Sequence, residues 1–127
     1  RAPSRATSER GDSQNTLSAY TTLIKACGQL GLLNTAFSIF QTCASNPQQR
    51  SKVDKPLYNC LMDACVMCRR PGKALELFEH MKKLKRVGVD VISCNTVIKG
   101  FAREGDIYQA REILRDMDRL GVKANIV

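Results

Sequence analysis

The sequence predicts an all-α fold, a solenoid built from three helix-turn-helix repeats. Two observations lead to this prediction. The first is a pair of helical patterns between Tyr58 and Met81, separated by a short break. In the second of these patterns, apolar residues recur at i, i+3, i+4 and i+7, which places them on one face of an α-helix. They are Ala74, Leu77, Phe78 and Met81. Neither helix can bury its apolar face alone.

The second observation is that this pattern occurs three times with the same internal spacing. The equivalent sets are Tyr20/Tyr58/Cys94, Leu23/Leu61/Val97, Cys27/Cys65/Phe101, Ala36/Ala74/Ala110, Phe40/Phe78/Leu114 and Cys43/Met81/Met117. The repeats cover residues 17–54, 55–90 and 91–125, and only the connections between them differ in length. A period in this range, made of helix pairs, is typical of α-solenoids, in which stacked neighbours supply the core.

Each repeat consists of a first helix (helix A) and a second helix (helix B). The predicted helices cover residues 18–30, 33–44, 56–68, 71–86, 92–103 and 107–120. Gly31 and Gly105 separate the helices of the first and third repeats, and Pro71 suits the first turn of a helix. Asp106 is a favourable N-cap, and Gly121 suits a C-terminal stop. Residues 45–52 form an enlarged polar loop between repeats.

The two ends of the chain do not fit the repeat. Residues 1–16 have no hydrophobic period and are rich in Ser and Arg, so we expect a flexible linker or arm. They also lack the apolar segment of a secretory signal. Ile126 and Val127 match the first two residues of the preceding repeat, Val91 and Ile92. We therefore expect a further repeat to begin there, as in a longer array.

Composition and charge narrow the possible partners. No apolar run is long enough to cross a bilayer, so we expect no membrane insertion. The formal net charge is +8, and the middle repeat holds half of this excess, with 8 basic and 4 acidic residues. A basic balance suits RNA or an acidic protein surface. The main basic clusters are Lys82/Lys83/Lys85/Arg86, at the end of a helix B, and Arg111/Arg115/Arg119, which is typical of a solvated face.

The sequence gives little support for a metal site, a cofactor or catalysis. Cys65 and Cys68 form a C-x-x-C motif, but there is no second such motif, and His80 is the only histidine. Other cysteines share equivalent sites with Phe101, Met81 and Met117, which indicates packing positions. A single histidine on a helix surface forms no nucleophile–base pair by itself. We therefore expect a binding protein without a cofactor, not an enzyme.

The copies resemble pentatricopeptide repeats (PPR) of the P type over residues 17–125. The resemblance rests on the segments Y-N-C-L-M-D-A, P-G-K-A-L-E-L-F-E-H-M, C-N-T-V-I-K-G-F-A-R-E-G-D, A-R-E-I-L-R-D-M and G-V-K-A-N. The tetratricopeptide repeat has a similar helix pair, but its Trp and its 34-residue period are absent from this sequence. The resemblance implies a right-handed α-solenoid that binds single-stranded RNA in a mitochondrion or a plastid (such as a chloroplast), with about one base per repeat.

In that family, each base is read by the residue after the Tyr site of helix A together with the last residue of the repeat. The resemblance therefore implies three RNA-binding pairs: Thr21 with Asp54, Asn59 with Asp90, and Asn95 with Asn125. The family's code would read them as G, U and a pyrimidine, from 5′ to 3′. These short polar side chains can donate to or accept from the edge of a base.

Further RNA contacts are expected on the same helices. The apolar residue that the family uses for base stacking corresponds to Ile92 and Val127, and also to Pro56, whereas Ser18 departs from the pattern. One turn after the base-reading residues, Lys25 and Lys99 could neutralise phosphates, and Asp63 would repel them.

A protein-binding alternative remains open at this point. Three repeats would contact about three bases, each stacking contact contributing about 1–3 kcal/mol, which is marginal for an RNA-binding protein on its own. The chain could instead be a scaffold or a fixed structural subunit of a large organellar complex, such as a ribosome or a photosynthetic or respiratory assembly.

Overall fold

The computed structural model describes residues 9–48, 50 and 53–121, and their side chains from residue 17 onwards. Six helices follow one another in these residues, and no strand occurs among them. They are α1 (Glu9–Leu30), α2 (Leu33–Ser45), α3 (Lys55–Met67), α4 (Pro71–Lys83), α5 (Val91–Arg103) and α6 (Ile107–Arg119). The predicted all-α solenoid of three helix pairs is confirmed, with α1, α3 and α5 as helices A and α2, α4 and α6 as helices B. None of these helices has both the length and the apolar character that a membrane span requires.

Two helix ends differ from the prediction. Helix α1 begins at Glu9 instead of Ser18, so residues 9–16, predicted to belong to a linker or arm, are helical. Residues 9–16 contain no proline, so none of them prevents α1 from extending towards the N-terminus. Helix α4 ends at Lys83 instead of Arg86, because Leu84 is extended and Val87 turns back into the core, where it is 5% exposed. Residues 1–8 and 122–127 lie outside the described part.

The apolar stripes meet in one continuous core. The repeat-equivalent residues Ala36, Ala74 and Ala110 are all buried where helices A and B cross. Phe40 and Phe78, also equivalent, are 8% and 0% exposed, because the following repeat packs over them. Leu114, their equivalent in α6, is 46% exposed, since no element of the described residues covers it. Burial of these stripes therefore depends on the stacking of neighbouring repeats, as expected for a solenoid.

The helices A form the closely packed inner layer of the stack. Backbone contacts join α1 to α3 and α3 to α5, whereas no pair of Cα atoms within 8 Å joins α2 to α4 or α4 to α6 in the described part. Small residues permit this approach. A Cβ atom added to Gly28 would lie 2.9 Å from the Cα of Ala64, and one added to Gly100 would lie 2.7 Å from Cγ2 of Val66. Gly28 and Val66 are equivalent, as are Ala64 and Gly100, so one contact recurs at both junctions.

We expect Gly100→Ala to lower the free energy of unfolding. Alanine gains about 1 kcal/mol of helix propensity. However, the new methyl group would overlap the stiff, β-branched Val66 and lie 3.3 Å from Cβ of Pro71. Overpacking of this kind costs about 1–3 kcal/mol, so we expect a net loss of about 1 kcal/mol in urea denaturation. Val66→Ala removes the Cγ2 atom that the new methyl group would overlap. In a protein that already carries Val66→Ala, Gly100→Ala should therefore lower the free energy of unfolding by less.

The control is Gly72→Ala. An added Cβ at Gly72 meets no atom within 4 Å, so this variant should keep or raise the stability by up to about 1 kcal/mol. Equal effects of the two substitutions would contradict the proposed steric contact between α3 and α5.

The turn after each helix A uses a left-handed residue. Gly31, Arg69 and Gly105 are equivalent, and their φ angles are +75°, +63° and +82°. A side chain in this conformation costs about 1–2 kcal/mol, which glycine avoids. Arg69 forms an ion pair with Glu104 of the next repeat at 3.2 Å, but its side chain is 79% exposed, so the pair offsets little of this strain.

We therefore expect Arg69→Gly to stabilise the protein by about 0.5–1 kcal/mol, measured as a higher melting temperature. The matched control is Arg70→Gly, since Arg70 has an ordinary φ of −123° and gains no relief from the substitution. A melting temperature that falls equally in both variants would show that Arg69 is not strained.

Candidate nucleic-acid interface

The inner helices bring the residues of helix A that were predicted to read bases into one row. Thr21, Asn59 and Asn95 occupy equivalent positions of α1, α3 and α5. Because α3 packs between α1 and α5, the three residues lie side by side along the stack. Thr21 and Asn59 are half-buried and Asn95 is exposed. We use the name polar wall for this row together with four charged residues beside it on or next to α3 and α5, namely Asp54, Asp63, Asp90 and Lys99.

The pair Asn59 and Asp90 is joined through a third residue, Ser93. Asp90 is the N-cap of α5, and its Oδ1 accepts a hydrogen bond from the backbone N–H of Ser93 at 3.0 Å. The Ser93 hydroxyl lies 2.8 Å from Oδ1 of Asn59 and 3.0 Å from Oδ1 of Asp90. Lys55 also approaches the Asp90 carboxylate, at 3.8 Å. The two predicted residues therefore belong to one hydrogen-bonded group that spans the second and third repeats.

Ser93 is the functional candidate that sequence reasoning missed. Its side chain is completely buried, whereas its equivalents Ala19 and Leu57 carry no hydroxyl. The signal was present in the sequence, because Asp90 and Ser93 have the spacing of a capping box, in which the residues at N-cap and N3 bind each other's backbone. The capping box accounts for the position of Ser93, and the contact with Asn59 could be found only in the packed structure.

The pair Thr21 and Asp54 lines one cleft but is not hydrogen-bonded. The cleft, of about 310 Å³, lies between α1 and α3, and Pro56 and Leu57 also line it. The hydroxyl of Thr21 donates to the carbonyl of Leu17, in its own helix, at 3.0 Å. Asp54 occupies the N-cap position of α3, but its side chain makes no capping hydrogen bond. Asp54 and Thr21 therefore line the same cleft, and no hydrogen bond joins their side chains.

The remaining predicted positions divide between exposed and undescribed residues. Ile92 is 57% exposed in the first turn of α5. Pro56 and Ser18, its equivalents, are exposed as well. Asn125 and Val127 lie outside the described residues, so the third pair is represented only by Asn95. An apolar side chain as exposed as Ile92, beside a row of polar ones, suits contact with the face of a base.

The expected cationic positions are accessible, and one of them is paired. Lys25 and Lys99 are both exposed. Asp63, which the sequence suggested would repel phosphates, lies 3.9 Å from Nζ of Lys99. The side chains of this pair are 52% and 44% exposed, so their interaction contributes little to stability. Lys99 thus balances the charge of Asp63 on the polar wall.

Many basic side chains of the helices B are engaged in structural contacts. Lys82 binds Glu79 at 3.0 Å and Asp116 at 3.2 Å. Burial lowers its pKa, but hydrogen bonds to these two carboxylates outweigh that effect and raise the pKa. Arg86 donates to the carbonyl of Val53 at 2.9 Å, which ties the turn after α4 to the end of the first repeat, just before α3. Arg115 and Arg119 also bind acidic neighbours on α6, as expected of a solvated face.

The cysteines lie mainly in the core. Five of the six are buried, and Cys68 is half-buried, with its Sγ 3.8 Å from the carbonyl oxygen of Gly28. Burial raises the pKa of the Cys65 thiol to about 12 and that of Cys94 to about 11. In the described part of the chain, no cluster of side chains could hold a metal ion.

We expect iodoacetamide at about pH 8 to modify Cys68 first, because the thiolate is the reactive form and Cys68 is the least buried of the six. Cys65 and Cys94 should react last, since their raised pKa values keep them protonated. Mass spectrometry of peptides from the folded protein measures the order, and the unfolded protein, in which all six should react, is the control. Early modification of Cys65 would contradict the packing described here.

Comparison with known proteins agrees with this geometry. The model of the PPR repeat matches residues 18–43 and 57–85, and that of the PPR repeat family matches residues 89–127. Together they cover most of the chain and all three helix pairs. The chain belongs to the pentatricopeptide repeat family. This finding confirms the resemblance identified from the sequence.

Relatives include RNA-bound and ribosomal proteins. A mitochondrial pentatricopeptide repeat-containing protein of Arabidopsis thaliana is 32% identical over 79% of this chain and 20% of its own length. The small ribosomal subunit protein mL103 of the same plant is 28% identical over 85% of this chain and 26% of its own length. In the crystal structure of PPR10 with an 18-nt psaJ RNA element, the matched part has a TM-score of 0.73 and 26% identity, covering 85% of this chain and 15% of that one. The chain thus spans between 15% and 26% of the length of these three proteins.

Proposed function

We propose that this PPR chain binds single-stranded RNA along its polar wall, in a mitochondrion or a plastid, at about one base per repeat. The observation that supports this most directly is the group formed by Asn59, Asp90 and Ser93. It holds an amide and a carboxylate together beside the exposed Ile92. The solved PPR10–RNA complex is similar in fold to this chain. We infer action by binding, without catalysis.

Pro56 and Ile92 are equivalent, exposed residues in the first turns of α3 and α5. In this proposal, one of them lies on each side of the base that Asn59 contacts. A base entering between them would stack on apolar side chains, and such contacts accept any base. The Asn59 amide and the Asp90 carboxylate would then meet the edge of that base, where hydrogen bonds provide selectivity. In this proposal, stacking supplies affinity and the polar pair supplies preference.

The proposed order of bases follows the three pairs. Thr21 with Asp54 would read G, Asn59 with Asp90 would read U, and Asn95 with Asn125 would read a pyrimidine. Lys25 and Lys99 lie one turn further along their helices, where they could meet phosphates. A further repeat beginning at Ile126 would extend the array and would cover the exposed Leu114.

A second candidate is a fixed structural subunit of an organellar assembly. Two relatives in Arabidopsis thaliana are named as small ribosomal subunit proteins, mL103 and mS79. In that case, the polar wall or the face around Leu114 would be covered by a neighbouring protein. The two functions differ in their response to a single change on the polar wall.

We expect Asn59→Thr to change the preferred base at the central position from U to G. This substitution makes the second pair identical in residue type to the first, Thr21 with Asp54. The measurement is fluorescence anisotropy with four short RNAs that share a G-N-U core and differ only at N. A well-placed polar pair contributes about 1–3 kcal/mol of discrimination, so the ratio of affinities for U and G should change by about tenfold or more.

The matched control is Asn34→Thr, the same chemical change at an exposed site of α2, a helix B. It should leave the base preference unchanged. RNA affinity should also fall with added salt, by about 0.7 log units per tenfold increase for each phosphate contact on a single strand, and Lys99→Ala should remove about one such contact. A chain that binds all four RNAs equally, or none, is not a base-selective RNA-binding protein, and the subunit alternative would then be favoured.

A further inference from the structure

We propose that Ser93 is a positioning residue that fixes the orientation of the Asn59 amide, so that the second base site accepts uracil and excludes cytosine. This inference rests on the proposed RNA-binding function and extends it. Ser93 would touch no base itself. It belongs to the third repeat and would set the selectivity of a residue in the second.

The burial of Ser93 supports this role. It is the one buried polar side chain in the described part of the chain, and none of its surface is exposed. A buried hydroxyl requires hydrogen-bond partners, because an unpaired one costs about 1–3 kcal/mol. The partners of Ser93 are residues of the preceding repeat that lie at two different helices. They are Asn59 in α3, at 2.8 Å, and Asp90 at the start of α5, at 3.0 Å.

The Ser93 hydroxyl has a single proton, and this limits how many hydrogen bonds it can donate. A serine hydroxyl has one proton and faces two acceptor oxygens here, so it can donate to only one at a time. Oδ1 of Asp90 already accepts from the backbone N–H of Ser93, and the contact with Oδ1 of Asn59 is the shorter of the two. When the hydroxyl donates to Asn59, the amide oxygen is occupied. The NH₂ group of Asn59 then remains as a donor, and no residue in the described part binds it.

A fixed donor beside a fixed acceptor distinguishes the two pyrimidines. The edge of uracil offers an acceptor, a donor and an acceptor in order, from O4, N3–H and O2. Cytosine offers a donor at N4 and acceptors at N3 and O2. The Asn59 NH₂ suits a uracil carbonyl, and the Asp90 carboxylate suits N3–H. With cytosine, the carboxylate would face an acceptor nitrogen, and the NH₂ would face the N4 amino group. Without Ser93, the amide could turn over and accept a hydrogen bond from N4 of cytosine.

The first base site provides an internal contrast. At the position equivalent to Ser93, the second repeat has Leu57, which is 3% exposed and cannot form a hydrogen bond. Thr21, the partner of Asp54 at this site, binds its own helix instead of the neighbouring repeat. The bridge between repeats is therefore present at one of the two junctions that the structure describes. The equivalent position of the second repeat thus holds a larger, buried side chain than serine.

The test compares Ser93→Ala with Ser93→Thr, which keeps the hydroxyl. Affinities for RNAs that differ only by U or C at the central position are measured by fluorescence anisotropy, well below the melting temperature of each variant. We expect the U-to-C affinity ratio to fall about three- to tenfold in Ser93→Ala, the range set by one hydrogen bond, and to be retained in Ser93→Thr. Thr96→Ala is the control, because the Thr96 hydroxyl binds only its own helix, at the carbonyl of Ile92.

A purely structural capping role predicts a different result. Ser93→Ala would then lower the melting temperature and weaken binding of U and C by the same factor, with the ratio unchanged. That outcome would overturn the inference while leaving the RNA-binding function in place. If the unmodified chain binds neither RNA, the proposed function fails as well. If it binds both equally, the inference fails, because there is no preference for uracil that Ser93 could set. A ratio that falls equally in Ser93→Ala and Ser93→Thr would also contradict the inference, since threonine keeps the donor.

Discussion

The close approach of the inner helices is the constraint on which the rest of this structure depends. At both junctions, one residue of the contacting pair is glycine: Gly28 meets Ala64, and Gly100 meets Val66. With so little side chain between the backbones, the first turn of α5 reaches α3 closely enough for Ser93 to lie 2.8 Å from Asn59. A wider spacing would break that hydrogen bond before it exposed the apolar core, since a hydrogen bond tolerates only a few tenths of an ångström. The polar wall is thus more sensitive to stacking distance than the fold is.

The two layers of the stack use their side chains differently. The backbones of α4 and α6 do not approach each other, and Lys82 spans the space between them to reach Asp116 at 3.2 Å. Arg69 similarly reaches Glu104 in the next repeat. These outer contacts hold charged groups in fixed pairs and let the outer layer spread, while the inner layer stays compact. The inner helices therefore differ from the outer ones chiefly by their row of short polar residues, and not by long basic residues. An interface that depended on net charge alone would be expected on the outer helices, where Lys82, Arg115 and Arg119 are already paired with carboxylates.

Sequence periodicity was sufficient for the architecture, because the same apolar sites recur in all three repeats and only one packing of helix pairs buries them. It also placed Thr21 and Asn59 on equivalent sites of helix A, since equivalent positions in a solenoid lie in a row. It failed where tertiary contacts override local pattern: α4 ends early because Val87 packs into the core. Contacts between repeats were beyond its reach. The pairing of Lys99 with Asp63 and the bridge from Ser93 to Asn59 link residues 36 and 34 positions apart, and no periodic pattern predicts which side chains meet across a junction.

In the proposed function, the contacts at Asn59 would make a junction between repeats, and not a single repeat, the unit of recognition. Asn59 lies on the helix A of one repeat, Asp90 ends that repeat and caps the next, and Ser93 belongs to the next. The hydrogen-bonded group is therefore complete only when the following helix has docked, so the proposed base selectivity would be coupled to repeat stacking through the same few atoms. This coupling has a consequence for Leu57 and Ser93, which occupy the same site in successive repeats. Both junctions have an aspartate at the end of the repeat, Asp54 or Asp90, but only the second has the hydroxyl of Ser93. In the proposed function, this difference would make the second base site more selective than the first, although neither Leu57 nor Ser93 touches a base.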